Sequence, residues 1–173
     1  KNSLAKTYMK RIENRLDLLK KRQIRPALLS AYESACYGYQ VGLNKFKAPF
    51  LGQKSIAAAE KSVKTDPNNA FGYVQLGNID FYRPAIFGGS KQEALKYYLT
   101  AEKLYLSSMK TGNGAGKDWN LLSLWIQIAQ TYESLDEVKR ADEYYKKILT
   151  AEPNFKWVKD ELYAKFKQKH SIS

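Results

Sequence analysis

Apolar residues return every three or four positions along most of this chain, the interval of a helix with one buried face. Leu4, Tyr8, Ile12, Leu16 and Leu19 make one such stripe on a basic segment, and Pro26 ends or kinks it. Tyr32, Ala35, Cys36, Tyr39 and Leu43 make the next. The spacing predicts helices over 27–47, 54–65, 70–82, 91–108, 119–134, 138–151 and 155–169, with no strand. In the last of these Phe155, Trp157 or Val158, Leu162 and Phe166 face inward, and lysines cover the other side.

Small residues then set which helices approach closely. Counted from Leu122, Trp125, Ile128, Ala129 and Tyr132 fall three, six, seven and ten positions on, followed by Ala141, Tyr145 and Pro153. Ala129 and Ala141 let two antiparallel helices touch, large residues fill the space around that contact, and Pro153 ends the second helix. Ile148 stands where a small residue is usual. The pattern recurs from Ala70 with Tyr73, Leu76 and Gly77, but Ala94, Tyr98 and Ala101 come five residues late. The insert is Arg83–Gly89, where Pro84 and the Gly88–Gly89 pair do not continue a helix cheaply. Asp80 replaces a packing tyrosine beside it. A carboxylate there needs a partner, and Arg83 and the backbone donors of the insert are the candidates to fasten the loop. A third, degenerate copy precedes these, with Ser55, Ala59 and Ser62 as its small residues. Its Phe50–Lys54 stretch echoes Phe87–Lys91, which predicts a similar extended turn.

The resulting organisation is one domain over 1–173. It comprises an N-terminal helix (1–26), a degenerate repeat (27–69), a repeat with its insert (70–107), a linker (108–118), a repeat (119–154) and a capping helix with tail (155–173). Three units are about the minimum for a stack in which each buries its core only against its neighbours. The expected fold is an all-α right-handed superhelix of about three helix pairs.

Composition changes this picture little. Aromatics are 13% of the chain, mostly its 13 tyrosines, as helix–helix packing and a lined groove require. The net charge of +12 is concentrated in residues 1–25 and in the C-terminal tail, so it reads as solvated helix faces, and the N-terminal helix as a cap on the first repeat. Cys36 is a single thiol on an apolar face and reads as structural.

Candidate chemistry is sparse. Gly112–Lys117 lacks the spacing of a phosphate-binding loop, and Asp118 takes the place of its Ser or Thr. His170 is the one histidine and is expected to be unordered at the terminus. No catalytic triad or zinc set can be assembled from these residues. The carboxylate pairs Asp136/Glu137 and Asp142/Glu143 read as solvated helix ends and faces. No catalytic residue, metal ligand or cofactor is assigned, and the chain is read as a non-enzyme.

Over roughly 28–168 the chain resembles tetratricopeptide-repeat proteins. The run from Pro84 to Leu95 (PAIFGGSKQEAL) and the ending Glu152–Val158 resemble a small bacterial group of that family, many of them exported. The resemblance implies a protein- or peptide-binding scaffold. It also implies export to the periplasm with a signal peptide removed before Lys1. In that family the first helix of each repeat lines a concave groove. The matching positions here are Phe71, Val74, Asn78, Phe81 and Tyr82, then Ser123, Ile126, Gln130, Glu133 and Ser134. Val74 stands where some members carry a lysine for a peptide's terminal carboxylate, so an apolar or aromatic anchor is the expected guest. The alternatives are a basic module for an anionic surface, membrane or nucleic acid, and a small-ligand accessory protein with a pocket under the insert.

Overall fold

The computed structural model describes residues 2–110 and 119–172, and among these every regular element is helical. Contacts divide the chain into two compact units, Lys1–Gly89 and Ser90–Ser173, with the boundary at the end of the insert.

Unit 1 holds α1 (Asn2–Lys21), α2 (Pro26–Leu43), a 3₁₀ turn (Lys45–Lys47), α3 (Ala48–Thr65) and α4 (Ala70–Tyr82). Pro26 opens α2 in its first turn, where its missing N–H costs nothing. Successive helices pack on each other, and α2 also touches α4. The close pair is α2–α3. Ser34 and Ser55 bring their hydroxyls to 3.0 Å, and Ser55 also donates to the Ser34 carbonyl at 3.0 Å. Ala59 and Ser62 are fully buried, so the small residues read from the sequence do set this approach. Gly72 continues it on α4, where a Cβ would lie 2.6 Å from the Ser62 hydroxyl.

Three expectations for unit 1 are corrected. Phe50–Lys54 is not an extended turn but the interior of α3. The break falls earlier, at Asn44–Lys47, where Asn44 Oδ1 accepts the Phe46 N–H at 3.1 Å. Pro49 sits in the first turn of α3 and helps to start it. Gly52 costs that helix only about 1 kcal/mol, which one glycine does not convert into a stop. As a result α2 ends at Leu43 rather than at 47. The α1 stripe is covered only in its second half. Leu16 packs with Leu29 and Cys36, joined by Met9 and Leu19, while Leu4, Tyr8 and Ile12 remain exposed.

Unit 2 holds α5 (Lys91–Lys110), α6 (Trp119–Ser134), α7 (Val138–Ala151), a π turn (Trp157–Leu162) and α8 (Tyr163–His170). The expected flexible linker lies outside the described residues from 111 onward, as does the Gly112–Lys117 cluster. Residues 108–110 belong to α5. Ser90 caps α5 by accepting the Glu93 N–H at 3.2 Å. Trp125, Ala129, Tyr132, Ala141 and Tyr145 are all buried, as their spacing predicted, and so is Ile148. Of the inward candidates near the C-terminus, Val158 and Phe166 are buried and Trp157 is exposed. His170 is ordered, against expectation. It closes α8 with its ring 4.8 Å from Phe166 and Nε2 3.3 Å from Glu133 Oε1.

Candidate binding surface

The expected groove residues of α4 fall on one helix face. Ala70, Gly72, Gln75 and Gly77 turn inward and are buried. Phe71, Val74, Asn78 and Phe81 are half-buried, and Tyr82 is exposed. Phe71 meets Tyr32 of α2 with ring centroids 4.9 Å apart. Phe81 and Tyr82 meet edge to face, also at 4.9 Å. Tyr32 and Tyr39 are both exposed on α2. The apolar stripe of α2 predicts both tyrosines on the packing face of the helix, and they lie outside it. Their seven-residue spacing marks a common face, but not which one.

The insert that follows α4 is locked. Arg83 Nη2 donates to Asp80 Oδ1 at 2.7 Å and to the Gly88 carbonyl at 2.9 Å. The backbone N–H of Gly89 donates to the Pro84 carbonyl at 3.1 Å. Gly88 has φ 88°, the left-handed region that glycine enters without penalty. A Cβ on Gly89 would stand 1.8 Å from the Arg83 carbonyl oxygen. Asp80 thus fastens the loop through Arg83, as expected. The backbone donors of the insert turn to the loop's own carbonyls.

The α6 positions behave differently. Ile126 is 4% exposed and belongs to the interior of unit 2, a correction to its expected place on the groove. Glu133 is engaged from α8, by Lys169 at 2.8 Å and by His170. Gln130 is half-buried, and Ser123 and Ser134 are exposed. The expected α6 positions that reach solvent are therefore polar, while Trp119, four residues before Ser123, is exposed at the start of the same face.

Sequence reading missed the centre of unit 2. Glu102 of α5 is buried and accepts three hydrogen bonds, from Trp125 Nε1 at 2.7 Å, Tyr144 OH at 2.8 Å and Lys147 Nζ at 2.6 Å. Burial and then the bond to this carboxylate push the Tyr144 phenol well above its ordinary range. The one available signal was that Glu102 lies seven residues after Leu95, on the buried face of α5. Asp142 was likewise read as solvated, yet it accepts from Tyr163 at 2.6 Å and pairs with Lys146 at 2.6 Å. These carboxylates join helices. Burial raises the Cys36 thiol, which keeps it protonated and inert. Among the described residues no three His, Cys, Asp or Glu side chains come together as metal ligands would. A shallow hollow in unit 1 is lined by Lys20, Gln23, Pro26, Leu29, Ser30 and Lys61, at the α1–α2 turn rather than under the insert.

The family model of the tetratricopeptide repeat matches residues 122–155, which are α6, α7 and the Pro153 turn. Comparison with curated proteins gave no match. Such repeats are in general non-catalytic scaffolds that bind protein partners. Residues 122–155 thus form a tetratricopeptide repeat, set among described elements that are all helical and pack in adjacent pairs, as a tetratricopeptide-like fold does.

Proposed function

We propose that the chain is a non-enzymatic scaffold that seats a protein or peptide partner on the α4 face of unit 1, with Tyr32 of α2 extending that face. The observation that carries this reading is the line of half-buried Phe71, Val74 and Phe81 ending at the exposed Tyr82. A rigid aromatic surface that is neither sealed nor fully solvated gains most from an apolar anchor, because little side-chain freedom remains to be lost on binding. No lysine lies in that line to hold a terminal carboxylate, so the guest is an internal apolar or aromatic segment.

The test is selection from a displayed peptide library against the full chain, followed by affinities for variants. Tyr82→Ala and Phe71→Ala should each weaken the selected peptides by about 2 kcal/mol or more, with helicity unchanged. Neutralising Lys21 and Arg22 should change little at physiological salt. Peptides that depend on the basic pair and ignore both aromatics would overturn the reading.

A further inference from the structure

We propose that one end of unit 1 docks onto the surface of an anionic phospholipid bilayer. This goes beyond the scaffold reading and uses other residues.

The topology gathers three segments at that end. Gln40 bonds Glu13 at 2.5 Å and Lys20 pairs with Glu33, so α1 and α2 run antiparallel and Tyr8 stands level with Lys45. The Ser34–Ser55 contact runs α2 and α3 antiparallel, with their connection at Asn44–Lys47. Ser62 Oγ accepts from Asn69 Nδ2 at 2.9 Å across the α3–α4 turn, so α4 returns toward the same end and delivers the insert there. The beginning of α1, the α2–α3 tip and the insert therefore share one end of the unit.

What they present is apolar and exposed. Phe46 is 92% exposed, Ile86 84%, Phe50 77% and Phe87 69%. Leu4 and Tyr8 add to these from α1. At the other end of the unit Leu18 and Ile24 are exposed as well, at 52% and 44%, but the three highest apolar exposures in the unit, at Phe46, Ile86 and Phe50, all lie at this end. Such concentration marks an interaction site.

Charge selects the occupant. Residues 2–12, 43–54 and 82–89 contain no Asp or Glu. They contain Lys6, Lys10, Arg11, Lys45, Lys47 and Lys54, every one of them exposed. Their remaining cation, Arg83, is held by Asp80. A second copy would bring these lysines against their own kind. Nucleic acid would use the lysines but has nothing for Ile86 or Leu4. An anionic bilayer takes both, with aromatic and aliphatic tips in the headgroup boundary and lysines on the phosphates. Among the described residues no helix is long and apolar enough to cross a membrane, so the contact is peripheral.

The experiment is flotation of the full chain with vesicles of phosphatidylcholine, alone or with about 30% phosphatidylglycerol. The chain should float with the anionic vesicles and bind about tenfold or more weakly to the neutral ones. Phe46→Ser combined with Ile86→Ser should weaken flotation about tenfold or more. Lys45→Gln combined with Lys47→Gln should weaken it several-fold and flatten its salt dependence. All four positions are exposed, and unchanged circular dichroism checks the fold. The proposal is overturned by equal binding to both vesicle types, or by a Phe46/Ile86 variant that floats like the parent. It is also overturned if the parent does not float and instead dimerises through Phe46, or binds an oligonucleotide through the lysines alone. Because Phe71 and Val74 are untouched, peptide binding by the same variants tests the scaffold reading separately.

Discussion

Trp125 donates its indole N–H to the buried carboxylate of Glu102 at 2.7 Å, a bond that joins α6 to α5 from inside unit 2. The same carboxylate takes Tyr144 and Lys147 from α7, and the Lys147 ammonium lies 4.4 Å from the Trp125 ring centroid. One acceptor therefore serves three donors on two helices. Replacing Glu102 with Ala leaves an indole N–H and a phenol without their partner. We expect a loss of about 2 kcal/mol or more in a urea or thermal melt. Glu102→Gln keeps an acceptor and should lose less than Glu102→Ala. Equal losses would show that the charge and second acceptor oxygen of the carboxylate, which Gln lacks, are what Glu102 supplies, not its shape or a single acceptor.

Overpacking should expose the tightest helix contacts. Ala141 is fully buried between the helices of the matched repeat. Ala141→Trp should cost roughly 1–3 kcal/mol or more. Gly72→Ala in unit 1 places a methyl 2.6 Å from the Ser62 hydroxyl and 2.9 Å from Val63 Cγ1. That substitution should also destabilise, although alanine is the better helix former. A melting temperature unchanged in both variants would contradict the packing described.

The insert offers a local test. Gly89→Ala cannot be accommodated without moving the Arg83 carbonyl, which a Cβ would meet at 1.8 Å. Arg83→Met removes the donor that Asp80 and Gly88 share. Hydrogen exchange over residues 83–89 should accelerate in both, while exchange in unit 2 stays as in the parent. Unchanged exchange at the Gly89 amide would mean that the Pro84 carbonyl holds the turn by itself.

Asp142 gives a dependence on pH. Burial raises its carboxyl, but hydrogen bonds from Lys146 and Tyr163 outweigh that and hold it below the ordinary carboxylate value. The folded pKa is depressed, so its stabilisation is present above the unfolded value of about 4 and is lost as pH falls through the folded one. Asp142→Asn should be less stable than the parent at neutral pH, on the order of 1 kcal/mol. The gap should close on acidification to below about pH 4. A gap that stays constant would mean that Asp142 titrates alike in folded and unfolded chains.

The helices were legible because burial repeats at helical spacing, and the small residues Ser55, Ala59, Ser62, Ala129 and Ala141 named the close contacts. Phe50–Lys54 was misread because the likeness to the insert lay in side chains. What distinguishes the two stretches is backbone: a glycine pair with one left-handed residue against a single glycine after a helix-starting proline. Glu102 was illegible for another reason. A charged residue on a helix is usually solvated, and the three donors that satisfy it are 23 to 45 residues away. Phe71, Val74, Asn78 and Phe81 share a half-buried face of α4. Ile126 is buried instead, and the sequence does not show this because a groove position and a core position carry the same residue type.

All three tryptophans, Trp119, Trp125 and Trp157, lie in unit 2, and unit 1 carries none. Indole emission is therefore a spectroscopic label confined to one half of the chain, while far-ultraviolet ellipticity reports helices in both. Followed together through denaturation, the two signals will coincide if the halves melt as a single cooperative body and separate if each melts on its own.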